Sequence, residues 1–128
     1  MKQFYHLAIF CFFFSAAAHA ETMTGNEFLE KMANKDSNAL YYLVGIVDAA
    51  EASRLVFDQN LMKIDASARE NAINALGQYW GCRPEKVSYG QVGDVTVAYI
   101  NTHPKIRHLD LGMIIAAAIR DAWPCEKR

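Results

Sequence analysis

The stretch LGMIIAAAIRDAWPC, residues 111–125, determines the fold of the C-terminal half. Its apolar side chains recur at positions i, i+3 and i+4, which is the pattern of a helix that buries one face. Asp110 is placed to start this helix, and Pro124 ends it because proline cannot continue a helix. We therefore predict a helix over about residues 109–122, followed closely by a cysteine. Its buried stripe consists of Leu111, Ile114, Ile115, Ala118 and Ile119.

Two capping boxes mark the start of other helices. Thr24 and Glu27 have the spacing at which each side chain bonds the other residue's backbone N–H, and so do Ser88 and Gln91. The run that follows the second box, residues 89–102, also contains the Val, Thr and Tyr residues that are frequent in strands. The cap and the i, i+3, i+4 spacing favour a helix there.

The longest helical pattern covers about residues 38–57. Tyr41 and Tyr42 are predicted to widen its buried face. Gly45 lies inside this run and weakens a helix by about 1 kcal/mol relative to alanine, so we expect it to serve a close approach to another helix.

The next part of the chain is ambiguous. Asp65 is placed to cap a helix over about residues 66–76. Residues 77–81 begin and end with glycine, which indicates an irregular segment. Whether the stretch from Asp58 to Tyr79 is helix or loop stays open. The whole pattern predicts an all-α fold, a single small bundle of four to five helices.

The first twenty residues have the pattern of a secretory signal peptide. A basic start precedes a short apolar run, and Ala18-His19-Ala20 forms a cleavage site. A membrane anchor is the alternative, but the run is too short to cross a hydrocarbon core of ~30 Å. We expect cleavage after Ala20, which leaves one domain at residues 21–128 and no membrane attachment.

Charge and cysteine count restrict the function of the mature chain. The formal net charge of the full chain is −1, and cleavage of the leader makes it one unit more negative because Lys2 is lost. The mature chain therefore lacks the cationic face that nucleic-acid binding needs. Cys82 and Cys125 remain after cleavage and predict one disulfide in an exported protein. Free thiols or a metal site are the weaker alternatives. The bond should stabilise the fold by about 4 kcal/mol in the loop-entropy model.

No catalytic set stands out in the sequence. His103 and His108 are five residues apart and do not form a helical metal pair, so neither a metal nor a cofactor is predicted. Asp48 and Glu51 share a helix face and suit acid–base chemistry. The simpler interpretation is a solvated face on which Arg54 pairs with Glu51. We therefore expect no enzyme.

Tyr79 and Trp80 are large aromatics in the glycine-flanked segment. They are either part of the core or anchors for a protein partner, with Arg83 and Lys86 contributing a polar rim. Burial statistics favour the core. As anchors, these four residues are the candidates for a partner-binding surface within residues 58–86.

Several motifs together resemble the Rap/Tai family of immunity proteins of the bacterial type VI secretion system. The motifs are Cys82-Arg83-Pro84, Val87-Ser88-Tyr89-Gly90-Gln91, His103-Pro104-Lys105-Ile106-Arg107 and Pro124-Cys125. The resemblance implies a periplasmic, all-helical and often dimeric protein that plugs the cleft of a peptidoglycan amidase. It implies architectural roles, as disulfide, cap and turn, for the matched residues. Besides the two cysteines these are Pro84, Gln91, His103, Pro104, Arg107 and Pro124.

Two departures from the family pattern are visible. Many relatives have further cysteines in their first two helices, and this chain has none there. The stretch of residues 58–79 is also longer than the corresponding stretch of most relatives. An alternative function is that of a small periplasmic acid-stress chaperone, which exposes apolar surface when it is protonated.

Overall fold

The computed structural model describes residues 22–126, which form five α-helices and one short 3₁₀ helix. Within this range the β-structure is limited to an isolated bridge between Thr24 and Asp110. The all-α prediction is confirmed; the leader lies outside the described residues. The helices are α1 (Gly25–Ala33), α2 (Ser37–Leu61), α3 (Ala66–Trp80), α4 (Tyr89–Thr102) and α5 (Leu111–Ala122), and the 3₁₀ helix is Pro104–Ile106.

Side-chain caps fix where the helices begin. Both predicted capping boxes are present, at Thr24 for α1 and at Ser88 for α4. Three aspartates cap the other helices by accepting backbone N–H bonds, which satisfies donors that have no partner inside the helix. These are Asp36 at α2, Asp65 at α3 and Asp110 at α5.

The core lies between α1, the first half of α2, α4 and α5. The predicted stripe of α5 is buried and packs mainly against α4. The N-terminal segment is held against the start of α5, because the N–H of Leu111 donates to the carbonyl of Met23 at 2.8 Å. The buried apolar side chains include Phe28, Leu43, Val47, Val92, Ile100, Leu111, Ile114, Ile115 and Ile119.

The long helix α2 has two different halves. Its fully buried side chains, Ala39, Leu43 and Val47, all lie in the first half, and residues 51–57 are exposed. No residue of α3 is fully buried either. The second half of α2 and all of α3 therefore form a helical hairpin outside the core, which we call the outer hairpin (residues 50–81).

Several local predictions for α2 and α3 were wrong. Helix α3 continues to Trp80 instead of becoming irregular after residue 76, because Gly81, with φ of 70°, supplies the C-cap. Gly45 has no neighbouring atom within 4 Å of an added Cβ, so it does not serve a close helix contact. Tyr41 is 70% exposed and does not extend the core.

Acid should loosen the start of α3. The pKa of Asp65 is lowered from its ordinary value, first by the backbone N–H of Ala68 and then by Ser67. A lowered folded pKa gives stability that is present above the unfolded pKa and is lost as pH falls through the folded pKa. We therefore expect the thermal midpoint to fall from about pH 5 downward. Circular dichroism melts from neutral to acid pH measure it.

Asp65→Asn is the matched variant for this prediction, because asparagine also caps helices but does not titrate. The variant should lose less stability in acid than the parent. Equal acid dependence in both proteins would show that Asp65 does not contribute to it.

Candidate partner-binding site

A cleft of about 440 Å³ opens between the outer hairpin and the C-terminal end of α5. Its volume is in the range of pockets that bury a ligand or an anchoring side chain. The walls come from the second half of α2 and from α3, and the floor comes from Ile119 and the cysteines. The apolar lining comprises Val47, Ala50, Phe57, Ile73, Leu76, Trp80 and Ile119.

Exposed apolar side chains continue from this cleft over the end of α2. Leu55 is 65% exposed, Val56 is 59% exposed and Phe57 is 45% exposed. Met62 and Ile64, in the turn that follows, are exposed as well. Several large exposed apolar side chains in one short segment beside a cleft are typical of an interaction site.

The two aromatic candidates take different positions. Trp80 is partly buried and lines the cleft, which suits an anchor position in a partner-binding site. Tyr79 is 52% exposed and contacts Trp80 edge to face, with ring centroids 5.3 Å apart. Placement of Tyr79 in the core was therefore wrong, and it does not line the cleft.

Arg83 lines the cleft as well, but its side chain also ties the fold together. It pairs with Glu51 of α2, donates to the carbonyl oxygen of Val87 at 2.6 Å, and lies over the ring of Tyr89. The predicted Glu51–Arg54 pairing is wrong, since Glu51 pairs with Arg83 instead. Lys86 is exposed and lies outside the cleft lining.

The Asp48–Glu51 pair is engaged in these ties. The hydroxyl of Tyr89 donates to Asp48, and this bond is the main cause that raises the pKa of Tyr89. Burial and the nearby negative charges raise it further. Both carboxylates thus join α2 to the segment before and at the start of α4, which agrees with a structural role for them.

The disulfide between Cys82 and Cys125 is present, and both cysteines line the cleft. Because α3 ends at Trp80, the bond connects the end of α3 with the segment after α5, in addition to bracketing α4 and α5 as predicted. A Cβ at Gly77 would lie 2.9 Å from the sulfur of Cys125. A Cβ at Gly81 would lie 2.8 Å from the Cα of Arg120, so the backbones meet closely here.

The motif residues lie mostly at caps and turns. Gln91 completes the capping box of α4. Near the other end of α4, His103 Nδ1 is 2.9 Å from the Tyr99 carbonyl oxygen, and Arg107 Nε donates to that of Ile100. Three prolines begin or end segments: Pro84 in the turn before α4, Pro104 at the start of the 3₁₀ helix, and Pro124 after α5.

Leu55, Phe57 and Arg54 were not among the surface candidates predicted from the sequence. Leu55 falls within the apolar pattern that predicts the helix over residues 38–57, and periodicity shows which side chains share a face but not where the packing partner ends. The run Leu55-Val56-Phe57 was the available signal, since three consecutive apolar residues cannot all face one side of a helix.

Two kinds of site are absent from the described part of the chain. Residues 22–126 contain no group of three or more His, Cys, Asp or Glu side chains that are placed to hold a metal ion. None of the helices in this range combines the length and apolar character needed to cross a bilayer.

Comparison with known proteins gives one match. The model of the family described as Rap1a immunity proteins matches residues 17–125, which is most of the chain. No curated protein and no solved structure matches.

Proposed function

The chain belongs to the family of Rap1a immunity proteins, and on that premise we propose that it binds a peptidoglycan amidase effector of a type VI secretion system and blocks the active site sterically. The resemblance supplies the class of partner. The observation that supports the proposal is the uncovered apolar cleft of the outer hairpin. Binding energy at protein interfaces is concentrated where a few side chains fill such pockets, and steric inhibition requires no reactive group.

We place the contact surface on the cleft and the adjoining side chains Leu55, Val56 and Phe57. Trp80 and Arg54 line the cleft beside them, and Trp and Arg are residue types that concentrate binding energy at interfaces. Of the four sequence candidates, Trp80 and Arg83 border this surface. Tyr79 and Lys86 lie outside the lining and would contribute to a rim.

Export to the periplasm is part of the proposal. Residues 1–20 would direct it, and the disulfide agrees with an oxidising compartment. The homodimer that the resemblance implies is part of the proposal as well. Light scattering of the free protein and of the complex tests whether that dimer forms.

Inhibition of the effector tests the proposed function. The protein, purified after export, is mixed with candidate peptidoglycan amidase effectors, beginning with any small secreted amidase whose gene is found next to its own, and release of peptide from peptidoglycan is followed. We expect loss of amidase activity that is complete near molar equivalence. Full activity at a large excess of the protein contradicts the proposal.

The chaperone alternative is favoured by one feature, exposed apolar surface beside the Asp65 cap of α3, whose loosening in acid is predicted above. Under that alternative the protein suppresses aggregation of many unrelated proteins at acid pH only. Stoichiometric inhibition of one amidase at neutral pH is the result that separates the two functions.

A further inference from the structure

The Cys82–Cys125 disulfide is part of the cleft itself. Both cysteines line the cavity; Cys82 is exposed and Cys125 is partly buried, so a reductant in solution can approach the bond at Cys82. The bond spans a sequence separation of 43 residues. It is the covalent connection between the end of the outer hairpin and the end of α5.

Hydrogen bonds and the close backbone approach at Gly81 accompany the disulfide at this junction. The N–H of Cys82 donates to the carbonyl of Trp123 at 2.8 Å, and Arg120 donates to the carbonyl of Gln78 at 3.2 Å. A side chain at Gly77 would meet the sulfur of Cys125, so the disulfide itself fills the contact there. The disulfide therefore forms part of the contact that holds the α3 wall of the cleft against the end of α5.

The packing of the core does not involve the disulfide. The buried side chains come from α1, the first half of α2, α4 and α5, and α3 contributes none that is fully buried. Elements with few buried apolar contacts open at lower free energy than the core does. Breaking the disulfide should thus release α3 while the packing of α4 against α5 persists.

We infer that this disulfide is a redox switch for the partner site: the oxidised protein holds the cleft in shape, and the dithiol form does not. This inference rests on the proposed function. The reductant is a dithiol, which forms its own disulfide while the Sγ–Sγ bond breaks and each cysteine sulfur gains one electron and one proton. The chain would then bind its partner only after oxidation, and so only after export.

Hydrogen exchange tests the structural part of the inference without any partner. The exported protein is compared in its oxidised form and after treatment with dithiothreitol, with helicity followed by circular dichroism. We expect exchange in residues 66–82 to become at least about tenfold faster on reduction, while amides of α4 and α5 stay protected. Unchanged exchange in residues 66–82, or global unfolding on reduction, overturns the inference.

Affinity for an amidase that the oxidised protein inhibits tests the functional part. Reduction should weaken binding by about tenfold or more, and the double variant Cys82→Ala/Cys125→Ala should match the reduced protein with or without dithiothreitol. Equal affinity of oxidised and reduced protein overturns the inference. Failure of the oxidised protein to bind contradicts the proposed function instead, and the exchange result then decides on the switch separately.

Discussion

Replacing Phe57 with arginine is expected to weaken binding of the amidase by about 30-fold or more, the factor that corresponds to roughly 2 kcal/mol for an interface anchor. Phe57 lines the cleft and is half-exposed, so its ring is available to a partner. Arginine would place a charge among apolar side chains and beside Arg54, which also lines the cleft. Isothermal titration or surface plasmon resonance measures the change.

Tyr41→Arg is the matched control. Tyr41 is also an exposed aromatic residue of α2, but it lies in the first half of the helix and outside the cleft lining. Its substitution should leave both stability and affinity near those of the parent. Equal loss of affinity in the two variants, or none in Phe57→Arg, would mean that the cleft is not the binding surface.

Gly81→Ala should destabilise the protein by about 3 kcal/mol. At φ of 70° and ψ of −175°, Gly81 occupies a backbone region that costs other residues on the order of 1–3 kcal/mol. The added Cβ would also lie 2.8 Å from the Cα of Arg120, and such overpacking costs about 1–3 kcal/mol. The thermal midpoint should fall by roughly 10–20 °C.

Gly45→Ala should instead raise the free energy of unfolding. Gly45 is helical and exposed, with no atom within 4 Å of an added Cβ, so alanine is expected to add up to about 1 kcal/mol of stability. Urea unfolding of both variants measures the difference. A stabilised Gly81→Ala protein would show that the end of α3 is not held against α5 as described.

Local signals in the sequence were sufficient for the beginnings of most helices. Capping boxes act between residues three apart, so Thr24 with Glu27 and Ser88 with Gln91 are visible without any tertiary structure. The disulfide followed from counting cysteines once the leader was set aside. The buried stripe of α5 followed from periodicity, because this helix packs against the core over its whole length.

The cleft depends on information that local patterns do not carry. Glu51 has Arg54 three residues away, yet it pairs with Arg83, 32 residues distant, because the fold places the segment after α3 beside α2. Gly81 was taken as the end of an irregular segment, whereas its positive φ caps a continuous helix. The exposure of the end of α2 was not predictable either, since its apolar residues fit a helical pattern although no core packs against them.

The division of α2 into a buried and an exposed half separates the residues that preserve the fold from those of the proposed contact surface. Substitutions at Leu55, Val56 or Phe57 leave Ala39, Leu43 and Val47 in their packing. Under the proposed function, a lineage can change which effector it binds by exchanging these surface residues, with little loss of stability, while the same helix keeps the domain intact. New specificity in such a protein requires few mutations and no compensating change in the core.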